Sequence, residues 1–263
     1  MSGEDHVVRP RQVLCVLGSG LAPEVVHNVV AEVGGRGFSV DPEYAHPAHD
    51  PRMDAAFRAC LANATFTDTD WEAVSAHDSV AYVLSPPMTP ATSFDLSQRM
   101  LAVTATLLRS GATAVKSESS GLTHGRDRWL RLADDAAAAP GPVTLADALY
   151  HAWVKRPIST GALLFSCGMH LLAAPDVEVA AGSPAEPNLL DDRVALIDGL
   201  ASYLLTERRA REIQDGEGFR LAPGTPRWVL RKRPCHRYDD DDFFFNPQGY
   251  WRLTPAESPC LAE

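Results

Sequence analysis

Apolar residues along this chain form short runs separated by stretches with helical spacing. The run Val13–Leu17 predicts a buried strand, and five valines between positions 25 and 33 recur on one helical face that Gly34 and Gly35 end. Phe38–Val40 then alternates like a second strand. The first forty residues therefore predict a strand-helix-strand unit.

A second unit of the same kind covers residues 79–116. Ser79–Leu84 is a β-branched and aromatic run, Ser93–Leu108 has an apolar stripe at helical spacing, and Ala112–Val115 again has strand character. We therefore expect two pseudo-repeated β-α-β units, at 12–40 and 79–116, although their sequences do not repeat.

The rest of the chain predicts helices and strands at irregular spacing. Ser159–Phe165 is a strand candidate and Leu189–Leu205 a helix, and the C-terminal third has short strand-like runs, an acidic loop and an irregular tail. We predict one α+β domain at 12–254, with a mixed or largely antiparallel sheet and helices packed mainly on one face. Residues 1–11 are expected to form a flexible N-terminus and 255–263 a C-terminal tail.

Charge limits the partners that the chain can bind. Its 24 Lys and Arg against 34 Asp and Glu give a formal net charge of −10, which disfavours nucleic acid and anionic membranes and favours a basic protein partner. The five cysteines contain no CxxC pair, and the N-terminus lacks an apolar signal-peptide stretch, so a cytoplasmic location is expected. We expect no cofactor and no metal site, and the sequence leaves the oligomeric state open.

The polar loop at 116–125 holds the densest set of chemical candidates. Lys116, Glu118, Ser119 and His124 lie within nine residues, and a serine with an adjacent histidine can form a nucleophile and its base. No G-x-S-x-G elbow accompanies them, and a plain turn explains the same residues. We predict all four as ligand-binding residues, and His124, Glu118 and Lys116 also as catalytic candidates.

The segment Cys167–His170 (CGMH) is the second candidate. Either His170 or His124 can activate the Cys167 thiol as a nucleophile, so Cys167 joins the catalytic candidates. Cys235 and His236 would complete four metal-binding side chains, but their spacing matches no usual zinc site. A small buried cysteine is the alternative. We predict His170 and Glu178 as ligand-binding residues.

Gly18–Gly20 lies between the first strand and the first helix, where dinucleotide-binding turns offer amide groups to phosphate. Pro23 occupies the third glycine position of that motif, so a tight turn is the alternative. An anion pocket formed by this turn and the 116–125 loop is one hypothesis. An HxxHD cluster at 46–50 lies in a loop without a rigid frame for a metal.

An acidic run precedes three aromatic residues near the C-terminus. Asp239–Asp242 is followed by Phe243–Phe245, and both come after a basic stretch at 227–237 that contains Trp228. Basic and aromatic residues together can bind nucleic acid, but the acidic run cancels most of that field, and local ion pairing or insertion of the aromatic residues into the core are the alternatives. The predicted partner-binding residues are Asp239, Asp240, Asp241, Asp242, Phe243 and Phe244.

Three segments resemble hallmark segments of a bacterial protein family known only as a domain of unknown function. They are AVKSESSGLTHGRDRW in the region 112–129, SCGMHLLAAPDVEV in the region 166–179 and DDDDFFFNPQGYWRL in the region 239–253. The resemblance implies an α+β protein of about this length. It implies no activity, because none is established for that family.

The leading hypothesis is a non-enzymatic binding protein, for example an immunity or accessory protein that neutralises a basic partner such as a toxin. It depends on the net charge, the lack of a complete catalytic motif and the acidic and aromatic loop at 239–245. The first alternative is a small-molecule hydrolase or transferase with His124 as base and Lys116 and Glu118 as substrate-binding groups. The second is an anion or nucleotide sensor.

Overall fold

Helices and strands alternate along the described chain. The computed structural model describes residues 8–60, 66–182 and 189–256. The α-helices within these ranges are α1 (Pro23–Val29), α2 (Met53–Cys60), α3 (Asp68–Ser75), α4 (Ser93–Arg109), α5 (Arg126–Ala137), α6 (Pro142–Trp153) and α7 (Leu189–Thr206). The strands are β1 (Val13–Gly18), β2 (Ser39–Val40), β3 (Ser79–Leu84), β4 (Ala112–Ser117), β5 (Leu122–Thr123), β6 (Lys155–Ser159), β7 (Leu163–Cys167), β8 (Asp176–Ala180), β9 (Gly218–Phe219), β10 (Trp228–Arg233) and β11 (Tyr250–Pro255).

The first sheet has the strand order β2-β3-β1-β4-β5, and all its neighbouring strands are antiparallel. Hence β1 and β2 run parallel with β3 between them, and β3 and β4 run parallel with β1 between them. Helix α1 joins the first pair and α4 joins the second. The prediction of two β-α-β units is confirmed, and they interlock as the split units of a ferredoxin-like arrangement.

Helices cover both faces of the first sheet. Leu14 and Val16 of β1 pack into the core formed with α1, α4 and α5. Cys15 and Leu17, which point the other way, pack against α2 and α3 with Phe57 and Val74. Because β1 is buried on both faces, its sequence is a continuous apolar run and not an alternating one.

The second sheet has the order β6-β7-β8-β11-β10-β9. Its pairs are antiparallel except β8 with β11, which are parallel. The sequence predicted no strand after the acidic loop, whereas Tyr250–Pro255 forms a central strand of this sheet. Pro255, the first residue of the predicted tail, belongs to this strand, and residues 257–263 of that tail lie outside the described residues. The charge of Arg252 in the middle of β11 interrupts the apolar pattern, and its partner Glu178 on β8 is distant in sequence.

One continuous apolar core connects the two sheets. At its centre the Trp153 indole donates to the Ser97 carbonyl at 3.2 Å, and the Ser97 hydroxyl donates to the Leu171 carbonyl at 2.8 Å. Gln12, just before β1, donates to the same hydroxyl at 2.9 Å. The predicted α+β class with largely antiparallel pairing is confirmed. Two sheets form where one was predicted, and the placement of helices mainly on one face was wrong, because helices cover both faces of the first sheet.

The segment directly before β1 forms hydrogen bonds to the rest of the fold. The carbonyl of Pro10 accepts from the Met88 amide at 2.7 Å, and the carbonyl of Arg11 accepts from the Ser119 hydroxyl at 2.7 Å. These two hydrogen bonds attach Pro10 and Arg11 to the domain. The flexibility of residues 1–11 stays a prediction, and residues 1–7 lie outside the described residues.

Candidate functional site

The candidate catalytic groups of the 116–125 loop contact different parts of the fold. Lys116 is buried, forms an ion pair with Glu118 and lies 6.0 Å from the ring centre of Phe57 on α2. His124 instead packs its ring against Trp129, 4.6 Å between centres, and its Nε2 donates to the Ala152 carbonyl at 3.3 Å. Lys116 and Glu118 are thus paired with each other and not with His124.

Neither Ser119 nor Ser120 of this loop is paired with His124. The Ser119 hydroxyl donates to the Arg11 carbonyl and accepts from the Val13 amide at 2.9 Å, so Ser119 fastens the loop to the start of β1. Ser120 donates to the Ser117 hydroxyl at 3.1 Å. Burial lowers the pKa of His124 to about 4, which makes it a weak base at neutral pH. These contacts give Ser119 a structural role.

Cys167 lies at the end of β7 and is buried. Burial, with the Asp176 carboxylate nearby, raises the pKa of its thiol well above the ordinary value, whereas a nucleophilic cysteine needs a lowered pKa. Within residues 8–60, 66–182 and 189–256, neither His124 nor His170 forms a hydrogen bond to this thiol. The geometry does not support Cys167 as a nucleophile.

The residues considered for metal binding do not converge. In the described parts of the chain, no group of three or more His, Cys, Asp or Glu side chains is arranged to hold a metal ion. The HxxHD cluster separates: the His49 ring stacks on His77, 4.4 Å between centres, and Asp50 binds Arg52. His46 instead forms a backbone bridge to Val80 of β3.

The Gly18–Gly20 turn already has an internal anion. The Gly20 amide donates to both carboxylate oxygens of Asp78, each at 2.9 Å. The Gly20 amide is therefore already bonded to a carboxylate of the same chain and is not free to bind a phosphate. This removes the main hydrogen-bond donor that the anion-pocket hypothesis requires.

The loop at 237–246, which we call the anchored loop, is fixed at its first residue by a buried ion pair. Arg237 pairs with Glu178 of β8, whose side chain is completely buried and also accepts from Arg252. The Arg237 guanidinium lies 4.2 Å above the Phe165 ring and 4.5 Å above the Tyr250 ring. Removing one partner of such a buried pair typically costs about 3–5 kcal/mol.

The other end of the anchored loop is fixed by a buried polar network. Asn246 donates to the Asp176 carboxylate at 2.7 Å and to the Ala174 carbonyl at 3.0 Å. Asp176 also accepts from the Ser166 hydroxyl at 2.9 Å and the Met169 amide at 3.3 Å. Burial raises the pKa of Asp176 to about 7. The hydrogen bonds from Asn246 and Ser166 lower this pKa, because they favour the charged form, but their effect is smaller than that of burial.

The middle of the anchored loop, residues 239–243, is exposed to solvent, and we call it the tip. Asp239–Asp242 are exposed, and Phe243 is 55% exposed. Backbone hydrogen bonds fold the tip into consecutive turns, with the Asp242 amide donating to the Asp239 carbonyl and the Phe245 amide to the Asp242 carbonyl, both at 3.0 Å. The Asp242 carboxylate accepts from the Phe244 amide at 2.8 Å.

The three phenylalanines at 243–245 of the anchored loop differ in exposure: the first is exposed and the other two are half-buried. Phe244 packs edge-on against Tyr238, 5.3 Å between ring centres, and lies close over Gly121 of the 116–125 loop. Phe245 is half-buried. Only Phe243 is exposed to a degree that leaves most of its ring free, so it is the aromatic residue available to a partner.

His170 lies where the anchored loop meets the 116–125 loop. Its side chain is buried, and backbone groups of Ser119 and Phe243 lie beside the ring, but neither ring nitrogen forms a hydrogen bond of ordinary geometry in the described chain. Burial lowers the pKa of His170 to about 4. The sequence predicted a ligand-binding residue here, and the structure places His170 inside the joint between two loops.

The basic stretch before the anchored loop does not neutralise its acidic tip. Arg231 pairs with Asp215 at 3.2 Å and Arg237 pairs with Glu178. Within the ranges that the structure describes, none of the carboxylates of Asp239–Asp242 comes within 4 Å of a basic side chain. The basic stretch forms strand β10 and the start of the loop after it, and the ion pairs of its arginines are made with carboxylates outside the acidic run.

The sequence identified the exposed part of the anchored loop. It did not identify Arg237, Arg252 and Ser166, which bind the buried acidic side chains that hold the loop in place.

Across residues 8–60, 66–182 and 189–256, every helix is too short or too polar to cross a bilayer. The resemblance to a bacterial domain of unknown function stays a prediction. Comparison with protein-family models, curated proteins and solved structures found no match to this chain.

Proposed function

We propose that this chain is a non-enzymatic binding protein that presents the acidic and aromatic tip 239–243 to a basic protein partner. One observation carries the proposal: both ends of the anchored loop are fixed by buried acidic side chains of β8, while its tip is exposed. Burying Asp176 and Glu178 is costly, and their side chains are used to fix this loop. A protein that neutralises a basic toxin is one kind of protein that this arrangement suits.

The tip has the chemistry of an interaction surface. Its four adjacent carboxylates, which form no ion pair with a basic side chain of the described residues, create a local negative potential that accelerates association with a basic surface. The exposed Phe243 ring beside them offers a large apolar contact of the kind that dominates interface energies. Because the ends of the loop are fixed, little conformational entropy is lost on binding.

The hydrolase or transferase alternative has less support. Its proposed base His124 donates to a backbone carbonyl, and Lys116 and Glu118 pair with each other on the side of α2. A catalytic site needs these groups within reach of one reacting atom. The contacts that they make instead are those of packing and loop attachment.

Neutralising the tip tests the proposal. The variant changes Asp239–Asp242 to Asn, which keeps the side-chain acceptor that holds the Phe244 amide. A matched control removes four exposed acidic charges elsewhere by changing Glu24, Glu32 and Glu72 to Gln and Asp135 to Asn. Wild type and both variants are used as baits in host-cell extract, and the proteins retained are quantified by mass spectrometry.

We expect wild type and the control to retain the same basic protein in stoichiometric amount, and the tip variant to lose it. With the purified partner, the tip variant should associate about ten- to a hundredfold more slowly at low salt and show a weaker salt dependence. Equal association rates for the tip variant and the control would contradict the proposal, because only net charge would then matter.

A further inference from the structure

We infer that a cavity between α1, the first sheet and the segment 40–47 binds a small, mainly apolar molecule that carries one hydrogen-bonding group. The cavity has a volume of about 220 Å³. Its walls are apolar side chains that include Val16, Leu21 and Val26. This inference does not depend on the proposed function, because none of these residues belongs to the anchored loop.

The lengths of the surrounding elements explain why a cavity forms there. Strand β2 has only two residues, and it pairs with Val83 and Leu84 at one end of β3. Along the rest of β3 the edge is covered by the loop 41–47, which touches it through the His46–Val80 bridge. Helix α1, on the other side of this space, continues directly into a π-helical turn at Val30–Gly34. A space therefore stays open beside the start of β3.

Three polar side chains line this otherwise apolar space. The hydroxyl of Ser79 is buried and has no hydrogen-bond partner in the described chain. An unsatisfied buried hydroxyl is costly, about 1–3 kcal/mol, and a ligand that bonds to it would recover that cost.

Two histidines line the cavity, and the Nε2 of each forms no hydrogen bond within the described residues. The Nδ1 of His27 donates to the Pro23 carbonyl at 2.8 Å, and the Nδ1 of His46 donates to the Tyr44 carbonyl at 3.0 Å. In the neutral ring this fixes the tautomer, so that Nε2 is an acceptor. The site therefore offers acceptors to a ligand hydroxyl.

Size and polarity together define the class of ligand. An apolar cavity of about 150 Å³ is large enough for benzene, so the present cavity accommodates one aromatic ring with a short substituent. Pockets for drug-sized ligands are larger, roughly 300–1,000 Å³. The apolar walls, and the Asp78 carboxylate that occupies the Gly20 amide, exclude a phosphate-bearing ligand. A substituted phenol has the required size and donor.

Titration with two matched probes tests the site. The ¹H–¹⁵N spectrum of the full chain is followed with 4-methylphenol and with toluene, which has the same ring and methyl group but no hydroxyl. Ser79→Ala removes the free hydroxyl, and Ala81→Leu or Ala45→Leu fills the cavity, since both alanines line it and are half-buried. Ala138→Leu, at an exposed position in a different cleft between α5 and α6, is the control.

We expect 4-methylphenol to shift the amide signals of residues 16–27 and 79–81 saturably in wild type and in the control. Ser79→Ala should weaken its affinity by about three- to tenfold and leave toluene binding unchanged, and either filling variant should abolish binding. The absence of saturable shifts with both probes would overturn the inference. So would binding that survives both filling variants, or identical affinities for the two probes that Ser79→Ala does not change.

Discussion

His170 shows how a single buried side chain can be held without hydrogen bonds. It follows Gly168 in a short 3₁₀ turn, and its ring is enclosed by the 116–125 loop and the anchored loop. Neither ring nitrogen has a hydrogen-bond partner in the described chain. Backbone groups of Ser119 and Phe243 lie beside the ring, but without ordinary hydrogen-bond geometry they offset little of the cost of burying its nitrogens. Protonation would place a poorly paired charge in the core.

Replacing His170 by Leu tests this view of the residue. At pH 7 we expect the free energy of unfolding to stay the same or to rise, because an apolar group of similar size replaces unsatisfied polar atoms. The folded pKa of about 4 lies below the ordinary value of 6.5, so the unfolded chain takes up the proton first and stability falls as the pH drops from 6.5 towards 4. At pH 5 the variant should retain about 2 kcal/mol that wild type loses.

Urea denaturation of both proteins at pH 7 and pH 5 gives the comparison. Asp176 acts in the opposite direction, since its raised pKa of about 7 makes stability fall as the pH rises from about 4 to 7. That contribution, like that of His124, is present in both proteins and cancels in their difference. A Leu variant that is less stable at pH 7 and equally sensitive to acid would mean that the ring nitrogens are solvated or bound.

At the scale of elements, the turn from β7 to β8 depends on Gly168. Its φ is +121°, and a Cβ there would lie 2.4 Å from the Trp153 carbonyl oxygen at the end of α6 and 3.1 Å from the Ser120 Cβ. The turn, the helix end and the 116–125 loop therefore approach one another only because no side chain is present.

Gly168→Ala should lower the free energy of unfolding by about 2–4 kcal/mol, because it combines backbone strain with a steric clash. Gly161→Ala is the matched control, since its φ is +84° but nothing lies within 4 Å of the added Cβ. We expect the control to lose about 1–2 kcal/mol from strain alone. Equal losses in the two variants, measured by urea denaturation, would show that the close approach has no energetic consequence.

The sequence predicted those helices and strands whose own residues show a clear apolar pattern. β1, α4 and α7 have nearly the predicted bounds, because a continuous apolar run or an apolar stripe identifies each. β11 was missed because the half-buried Arg252 interrupts its apolar pattern and pairs with the buried Glu178 of another strand, and β6 was missed because its sequence, KRPIS, is mainly polar. A strand that contains a charged residue paired with a distant strand cannot be identified from its local sequence pattern.

The same limit applies to the candidate site. The sequence identified the acidic and aromatic tip, because Asp239–Asp242 and Phe243 stand out by composition alone. It could not identify the anchors, because Arg237 meets Glu178 and Asn246 meets Asp176 only after β8 and β11 have paired. A pattern thus located the exposed part of the loop, and only the fold identified what holds it.

At the scale of the whole molecule, the two sheets share one core and a polar joint. Ser97 on α4 receives the Gln12 amide from the segment before β1 and donates to the Leu171 carbonyl between β7 and β8. Trp153 donates to the backbone of the same residue. Because apolar side chains around this joint belong to both sheets, neither sheet can separate without exposing the core of the other.

The protein should therefore unfold as one cooperative unit. In urea, far-UV circular dichroism and tryptophan fluorescence should give coincident transitions, since Trp129 and Trp153 lie in the shared core. Ser97→Ala leaves the Gln12 amide and the Leu171 carbonyl without this partner, so it should lower the free energy of unfolding by about 1–3 kcal/mol and keep a single transition. Ser202→Ala, at an exposed position of α7, should change neither. Two separate transitions, or midpoints that differ between the two signals, would mean that the sheets fold independently and that the Ser97 joint does not couple them.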